Sequence, residues 1–181
     1  AGLLAHRAGI ERDVETFGRH ATVAFAMRVE EDAARRDFTM NALYADAEGR
    51  IVDPLGGGIA DLQARKVRFV GDADARIRED YLRVLRFFRF HAWYGDAEAG
   101  MDVEALAACA TNTAGLETLS RERIGHEMRR LLAAPDPAAA VAGMQATGVL
   151  MRILPGAEAR ALGPLVHLEP PYAPDWIRRL A

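Results

Sequence analysis

The amino-acid sequence predicts an α+β protein, in which a short β-containing region up to about residue 70 precedes an all-α region over residues 71–181. Three observations lead there. Phe38, Met40, Ala42 and Tyr44 alternate with more polar residues, the period of a half-buried strand. Residues 74–94 repeat apolar side chains at intervals of four and three, the period of a helix. Beyond Gly95 every periodic segment has helical spacing, punctuated by glycine, proline and capping residues.

Taken in order, residues 1–26 show no clear period apart from a short strand over 19–25. Glu30, Glu31 and Asp32, followed by Arg35 and Arg36, mark a short helix whose charges complement its dipole. It runs into the alternating segment 38–44. Asp46, Ala47, Glu48 and Gly49 carry hairpin-turn chemistry and bring Ile51 and Val52 back as a partner strand. Residues 53–58, DPLGGG, form a loop of unusual backbone freedom, either a plain turn or a hinge at Asp53, Gly56 and Gly57. No Gly-Lys-Ser/Thr follows at the spacing of a phosphate-binding P-loop. Residues 67–70 read as extended. Helix 74–94 buries a stripe of Ile77, Tyr81, Leu85 and Phe88 and stops at Gly95.

The next helix runs from Asp102 to about Thr113 and is closed by Gly115. Another is capped by Ser120, carries Ile124, Met128, Leu131 and Leu132 on one face, and ends at Pro135. Asp136 and Pro137 begin a further helix that Gly148 stops. Shorter helices follow at 150–154, at 158–167 with an interruption at Pro164, and from Asp175 onward.

Residues 79–90, EDYLRVLRFFRF, place two acids and three arginines on an apolar helix. In an unbroken helix Asp80 and Arg83 lie about 60° apart around the axis, and Glu79 and Arg83 about 40°. One carboxylate and one guanidinium then face a common ligand. The carboxylate only accepts hydrogen bonds and the guanidinium only donates them. Adenine and cytosine show an amino donor beside a ring-nitrogen acceptor, whereas guanine and uracil show a carbonyl beside an N–H. Such a pair accepts the first two bases and rejects the others, because a mispaired base leaves charged groups unsatisfied at roughly 1–3 kcal/mol each. The same spacing also suits a surface ion pair between Glu79 and Arg83, and spacing alone leaves both readings open.

EDYLRVLRFFRF resembles the nucleotide-selecting helix of the class II CCA-adding enzymes and their bacterial poly(A) polymerase relatives, within the polymerase β nucleotidyltransferase superfamily. RRDFTMNAL at 35–43 and DPLGGGIADL at 53–62 resemble two further motifs of that family, in the same order. LSRERIGHEMRRLL at 119–132 is similar to the segment that braces the family's neck, which implies structural roles for Glu122 and Arg123. The resemblance implies base selection by Glu79, Asp80 and Arg83. It implies nucleotide binding by Arg35, Arg36, Asp37, Asn41, Arg86 and Arg89, with Arg36 foremost on the triphosphate and Asn41 on the sugar hydroxyls. The implied architecture is the β-containing end of a nucleotidyltransferase head over 1–70 and a helical neck, cut short, over 71–181. CTP and ATP are the implied substrates, tRNA the partner, Mg²⁺ the cofactor and the cytoplasm the location.

The family holds its metal with an Asp-x-Asp pair after a Gly-Ser signature, and no Gly-Ser precedes Arg35. Asp72 and Asp74 have the spacing but open the central helix, where they read as caps. The five histidines and Cys109 show no ligand spacing. No catalytic or metal-ligating residue is therefore assigned, and the expectation is a fragment without the family's palm, inactive by itself. The single cysteine excludes an internal disulfide and suits a reducing compartment. No apolar run is long enough for a membrane span. A formal charge of −3 confines any RNA contact to a local basic surface. Two alternatives remain, a poly(A) polymerase of the same family and a non-catalytic helical RNA-binding module.

Overall fold

The computed structural model describes residues 29–181 and, before them, the backbones of two strands, Ile10–Phe17 (β1) and His20–Ala26 (β2). These pair antiparallel, with a shift in register between Asp13 and Thr16. β2 coincides with the strand expected at 19–25, except for Arg19, which lies outside the described residues. β1 was not expected, because its apolar positions 10, 14 and 17 do not alternate. Helix α1 (Val29–Arg35) follows, acidic in its first turn and basic in its last.

The expected strand at 38–44 is a correction. Phe38 makes an isolated antiparallel bridge with Phe69, and Thr39–Asn41 coil into a 3-10 turn. Local side-chain bonds explain the change: Asn41 Oδ1 accepts from the Phe38 N–H at 3.1 Å, and Thr39 Oγ1 donates to Asp61 at 2.6 Å. Phe38, Met40 and Ala42 are nevertheless all buried. The alternating pattern thus predicts the inward side chains and misses the backbone. The hairpin itself stands, β3 (Tyr44–Ala45) pairing with β4 (Ile51–Val52). Helix α2 (Gly58–Gln63) leads into the extended residues that bridge Phe38.

The expected helix at 74–94 is two helices, α3 (Ala73–Glu79) and α4 (Leu82–Tyr94). At Asp80 the backbone is extended (φ −152°, ψ 107°). Its side chain accepts from the Leu82 N–H at 3.1 Å, the local competition for backbone donors that makes aspartate a poor interior helix residue. Beyond α4 come α5 (Val103–Thr111), a 3-10 turn (Thr113–Thr118), α6 (Arg121–Leu132), α7 (Ala138–Ala146) and α8 (Val149–Ile153). A 3-10 turn (Ala159–Ala161), α9 (Leu162–Leu168) and α10 (Trp176–Leu180) complete the chain. Asp72, Asp102, Ser120 and Asp175 cap α3, α5, α6 and α10. Pro164 lies in the first turn of α9, where its missing N–H is not needed, and interrupts nothing.

Two glycines act differently from a simple helix stop. Gly95 does end α4, with φ at −70°, yet a Cβ there would overlap the ring of His91. Gly115 closes no helix, since α5 already ends at Thr111. It sits inside the 3-10 turn, where a Cβ would overlap the Tyr81 ring.

α4 organises the core. Leu82, Val84, Leu85, Phe87, Phe88 and His91 are all buried, more than one stripe, because the helix packs on α6 and α7 while Phe38 and Phe69 cover another side. The rings of Phe38 and Phe90 lie 4.8 Å apart, those of Phe69 and Phe87 5.8 Å. At the far end, buried Arg179 binds Glu169 at 2.6 Å and donates to the carbonyls of Leu132 at 2.7 Å and Ala134 at 2.5 Å, tying α10 to the end of α6. Cys109 is buried, which pushes its thiol up from the ordinary range. No helix among the described residues is long and apolar enough to cross a membrane.

Gly115→Ala should destabilise the chain by about 1–3 kcal/mol, the cost of forcing a methyl into a filled site. Gly125→Ala, on α6 with open space around it, should stabilise by roughly 0.4–1 kcal/mol. Urea unfolding of the two variants checks both signs.

Candidate functional site

The break between α3 and α4 collects most of the residues that the sequence singles out. Asp37, which is 6% exposed, is the centre of the cluster. Its Oδ1 accepts from Arg83 Nε at 2.7 Å and its Oδ2 pairs with Arg86 Nη2 at 2.6 Å. Both arginines stand on the first turns of α4, one turn apart, so their heads converge on one carboxylate. The Asp37 carbonyl accepts from the Val70 N–H at 3.0 Å, which fixes the segment from behind.

Arg83 also donates through Nη1 to Glu79 and to the Arg76 carbonyl, each at 2.6 Å. Burial works against the Arg83 charge, but the bonds to Glu79 and Asp37 outweigh it and its pKa is raised. The Arg83 bond holds the Glu79 carboxyl below its ordinary range, with Arg76 adding to the effect. The predicted i,i+4 pair of Glu79 and Arg83 is therefore present, bridging the helix break.

Asp80 faces elsewhere. Besides capping α4 through Oδ1, it accepts from Arg123 Nη2 of α6 at 2.8 Å through Oδ2. The angle expected for Asp80 and Arg83 on one unbroken helix does not apply. The two residues share the break and point to different partners.

Arg36, half exposed, pairs with Asp32 at 2.7 Å and lies over the Tyr44 ring at 5.7 Å. Tyr44 Oη also donates to Asp32. Burial would raise the Asp32 pKa, but the bonds from Tyr44 and Arg36 outweigh it and hold it low. Asn41 Oδ1 is engaged by the Phe38 N–H. Arg89 stands apart from the Asp37 cluster. Its Nε binds buried Glu127 of α6 at 2.6 Å, and its guanidinium covers the Phe90 ring at 4.7 Å. Asp53, Gly56 and Gly57 shape the turn before α2. Asp53 Oδ2 accepts from the Ile59 N–H at 3.1 Å, and both glycines have positive φ. Next to them a Cβ on Gly58 would lie 2.6 Å from the Thr39 carbonyl, so the turn packs directly on the 3-10 turn of RRDFTMNAL.

Two participants escaped the sequence reading. Arg76 donates through Nη2 to the carbonyls of Arg35 at 2.6 Å and Arg36 at 2.8 Å, and pairs through Nη1 with Glu79. Its i,i+3 spacing from Glu79 was a visible signal, but nothing in the sequence marks a carbonyl some forty residues away. Arg123 was assigned only a general bracing role, and its contact with Asp80 spans 43 positions.

Asp72 is engaged as a cap at 2.7 Å, and Asp74 binds Arg78 at 2.9 Å and Asn112 at 2.5 Å. Among the described residues no group of three His, Cys, Asp or Glu side chains could hold a metal ion. The metal implied by the resemblance does not fit them, and no step is assigned to it.

Comparisons with known proteins bear on the fold and the family. Residues 6–68 match the "Poly A polymerase head domain" model, and residues 100–160 match "Probable RNA and SrmB- binding site of polymerase A". The chain is 47% identical over 120 residues to the mitochondrial CCA tRNA nucleotidyltransferase 1 of Mus musculus, covering 66% of this chain and 27% of that protein. It is 39% identical over 169 residues to the CCA-adding enzyme of Geobacillus thermodenitrificans, covering 93% of this chain and 37% of the relative. The crystal structure of the Bacillus stearothermophilus CCA-adding enzyme in complex with CTP superposes with a TM-score of 0.69 at 35% identity, over 80% of this chain and 35% of that one. Fold and sequence similarity thus define a member of the polymerase β nucleotidyltransferase superfamily. Within it, the chain belongs to the family of class II CCA-adding enzymes and bacterial poly(A) polymerases. It spans about a third of the length of the curated relatives it matches.

Asp37→Asn leaves two guanidinium groups facing a neutral amide that can accept from them through one oxygen only. The expected loss is on the order of 3 kcal/mol, as for a buried pair deprived of one partner. Arg50→Ala breaks a pair whose arginine is 77% exposed and should cost less than about 1 kcal/mol. Comparable losses in urea unfolding would contradict the central place given to Asp37.

Proposed function

We propose that this chain is the nucleotide-selecting part of a CCA-adding tRNA nucleotidyltransferase, an enzyme that extends tRNA 3′ ends from CTP and ATP in the cytoplasm. The observation that carries the reading is the convergence of Arg83 and Arg86 on Asp37, which joins the EDYLRVLR and RRDFTMNA segments in one cluster. The 39% identity to a CCA-adding enzyme over 93% of the chain supports it, as does the likeness to a solved CCA-adding enzyme holding CTP. In this proposal residues 1–70 contribute the end of the head and residues 71–181 the neck, with Asp53, Gly56 and Gly57 as a hinge within the last part of the head. Mg²⁺ enters only as the cofactor of the intact enzyme.

Arg83 commits Nε and Nη1 to Asp37, Glu79 and the Arg76 carbonyl, so Nη2 is the donor it offers a base. Asp80 uses one lone pair of each oxygen for Leu82 and Arg123, and its side chain is 35% exposed, so further lone pairs can accept an amino group. Glu79 holds Arg83 in place. Arg36 and Arg86 take the triphosphate, with Arg35 and Asn41 beside them; Asp37 acts by holding Arg83 and Arg86, and Arg89, turned to Glu127 of α6, is corrected to a structural residue. A second reading, poly(A) addition, is favoured by one observation, that both matching family models are described after polymerase A. Incorporation of CMP and AMP by the intact enzyme, against AMP alone, separates the two.

In the intact enzyme, Asp80→Ala should raise use of UTP and GTP relative to CTP and ATP, since the acceptor that repels their carbonyl is gone. Arg36→Ala should weaken all four nucleotides about equally, by about 1.5–3 kcal/mol for a lost charged hydrogen bond. The measurement is kcat/KM for each nucleotide. A common factor for all four nucleotides in Asp80→Ala would remove the base-reading role and leave Asp80 as a cap and ion-pair partner.

A further inference from the structure

The guanidinium of Arg76 touches both halves of the cluster. Its side chain is 12% exposed. Through Nη2 it donates to the carbonyls of Arg35 and Arg36 at 2.6 and 2.8 Å, the C-terminal end of α1, where the helix dipole places partial negative charge. Through Nη1 it pairs with Glu79. Its own carbonyl accepts from Arg83 Nη1 at 2.6 Å. A ring of contacts therefore closes: the Arg36 backbone to Arg76, Arg76 to Glu79, Glu79 to Arg83, and Arg83 to Asp37 beside Arg36.

We propose that Arg76 is a positioning residue for nucleotide choice. It locks the backbone carrying Arg36 to the turn carrying Arg83, so that phosphate binding and base reading occur in one fixed relation. The inference rests on the function proposed above and adds a residue that touches neither base nor phosphate. The planar fork serves all three acceptors from two nitrogens held in a fixed geometry. An ammonium keeps the charge but is a point donor without the fork's fixed geometry.

Arg76→Lys in the intact enzyme tests this, with kcat/KM, kcat and KM measured for CTP, ATP, UTP and GTP alongside thermal unfolding. The preference for CTP and ATP over UTP and GTP should fall by about tenfold, the equivalent of one charged hydrogen bond, with KM rising for CTP and ATP. The variant should stay folded at the assay temperature. Adding ethylguanidinium to Arg76→Ala should recover part of the preference. Unchanged preference in a folded Arg76→Lys overturns the proposal, and so does loss of fold in Arg76→Lys, which would make the contact merely structural. Asp80→Ala is run beside it. If Asp80→Ala relaxes base choice and Arg76→Lys does not, the coupling fails alone. If Asp80→Ala lowers all four nucleotides by one factor, the base-reading function itself fails.

Discussion

A carboxylate shut away from water between two guanidinium groups is the constraint on which the candidate site depends. Burying the Asp37 carboxylate at 6% exposure is costly without partners, and Arg83 and Arg86, one turn apart on α4, supply them at 2.7 and 2.6 Å. The arrangement removes the freedom of residues 36–38 to drift from α4. Phe38, immediately next, then falls into the aromatic cluster with Phe69, Phe87 and Phe90, so electrostatics and packing agree on one position for the segment.

Much of this was legible in the sequence, and the errors have physical causes. Caps such as Asp102 and Ser120 act within three residues of themselves, and their helices begin where those residues say. Periodicity identified the buried face of α6 for the same reason. At 38–44 the alternation reports only which side chains face inward, and a 3-10 turn closed by Asn41 satisfies that pattern as well as a strand does. At Asp80 the apolar period continues through the break, because Ile77 and Leu85 are both buried on either side of it. The kink comes from a polar side chain that hydropathy does not weigh. The partner choices of Asp80, Arg76 and Arg89 join positions about forty residues apart, which no local pattern encodes.

The near-exclusive use of arginine among the basic residues has a structural use here, whatever its origin. Arginine forks close two helix ends: Arg76 at α1 takes two backbone carbonyls and a glutamate at once, and Arg179 at α6 takes three carbonyls and a glutamate. Such ends otherwise rely on water or a left-handed glycine to satisfy their last carbonyls. A planar donor set does it from another part of the chain, and so turns a local capping problem into a long-range tie.

The burial of α4 on nearly every side bears on how this region can respond to different ligands. A helix with core contacts to α6, α7 and the Phe38–Phe69 pair has no empty face to slide toward, and close-packed interiors resist small displacements. Its arginines are anchored on a fixed post. The groups with room to rotate are those at the rim, Arg36 and Arg123, each about half exposed. Any adjustment to a ligand is then a matter of torsional motion at the rim, on the picosecond to nanosecond scale of exposed side chains, while the post stays still.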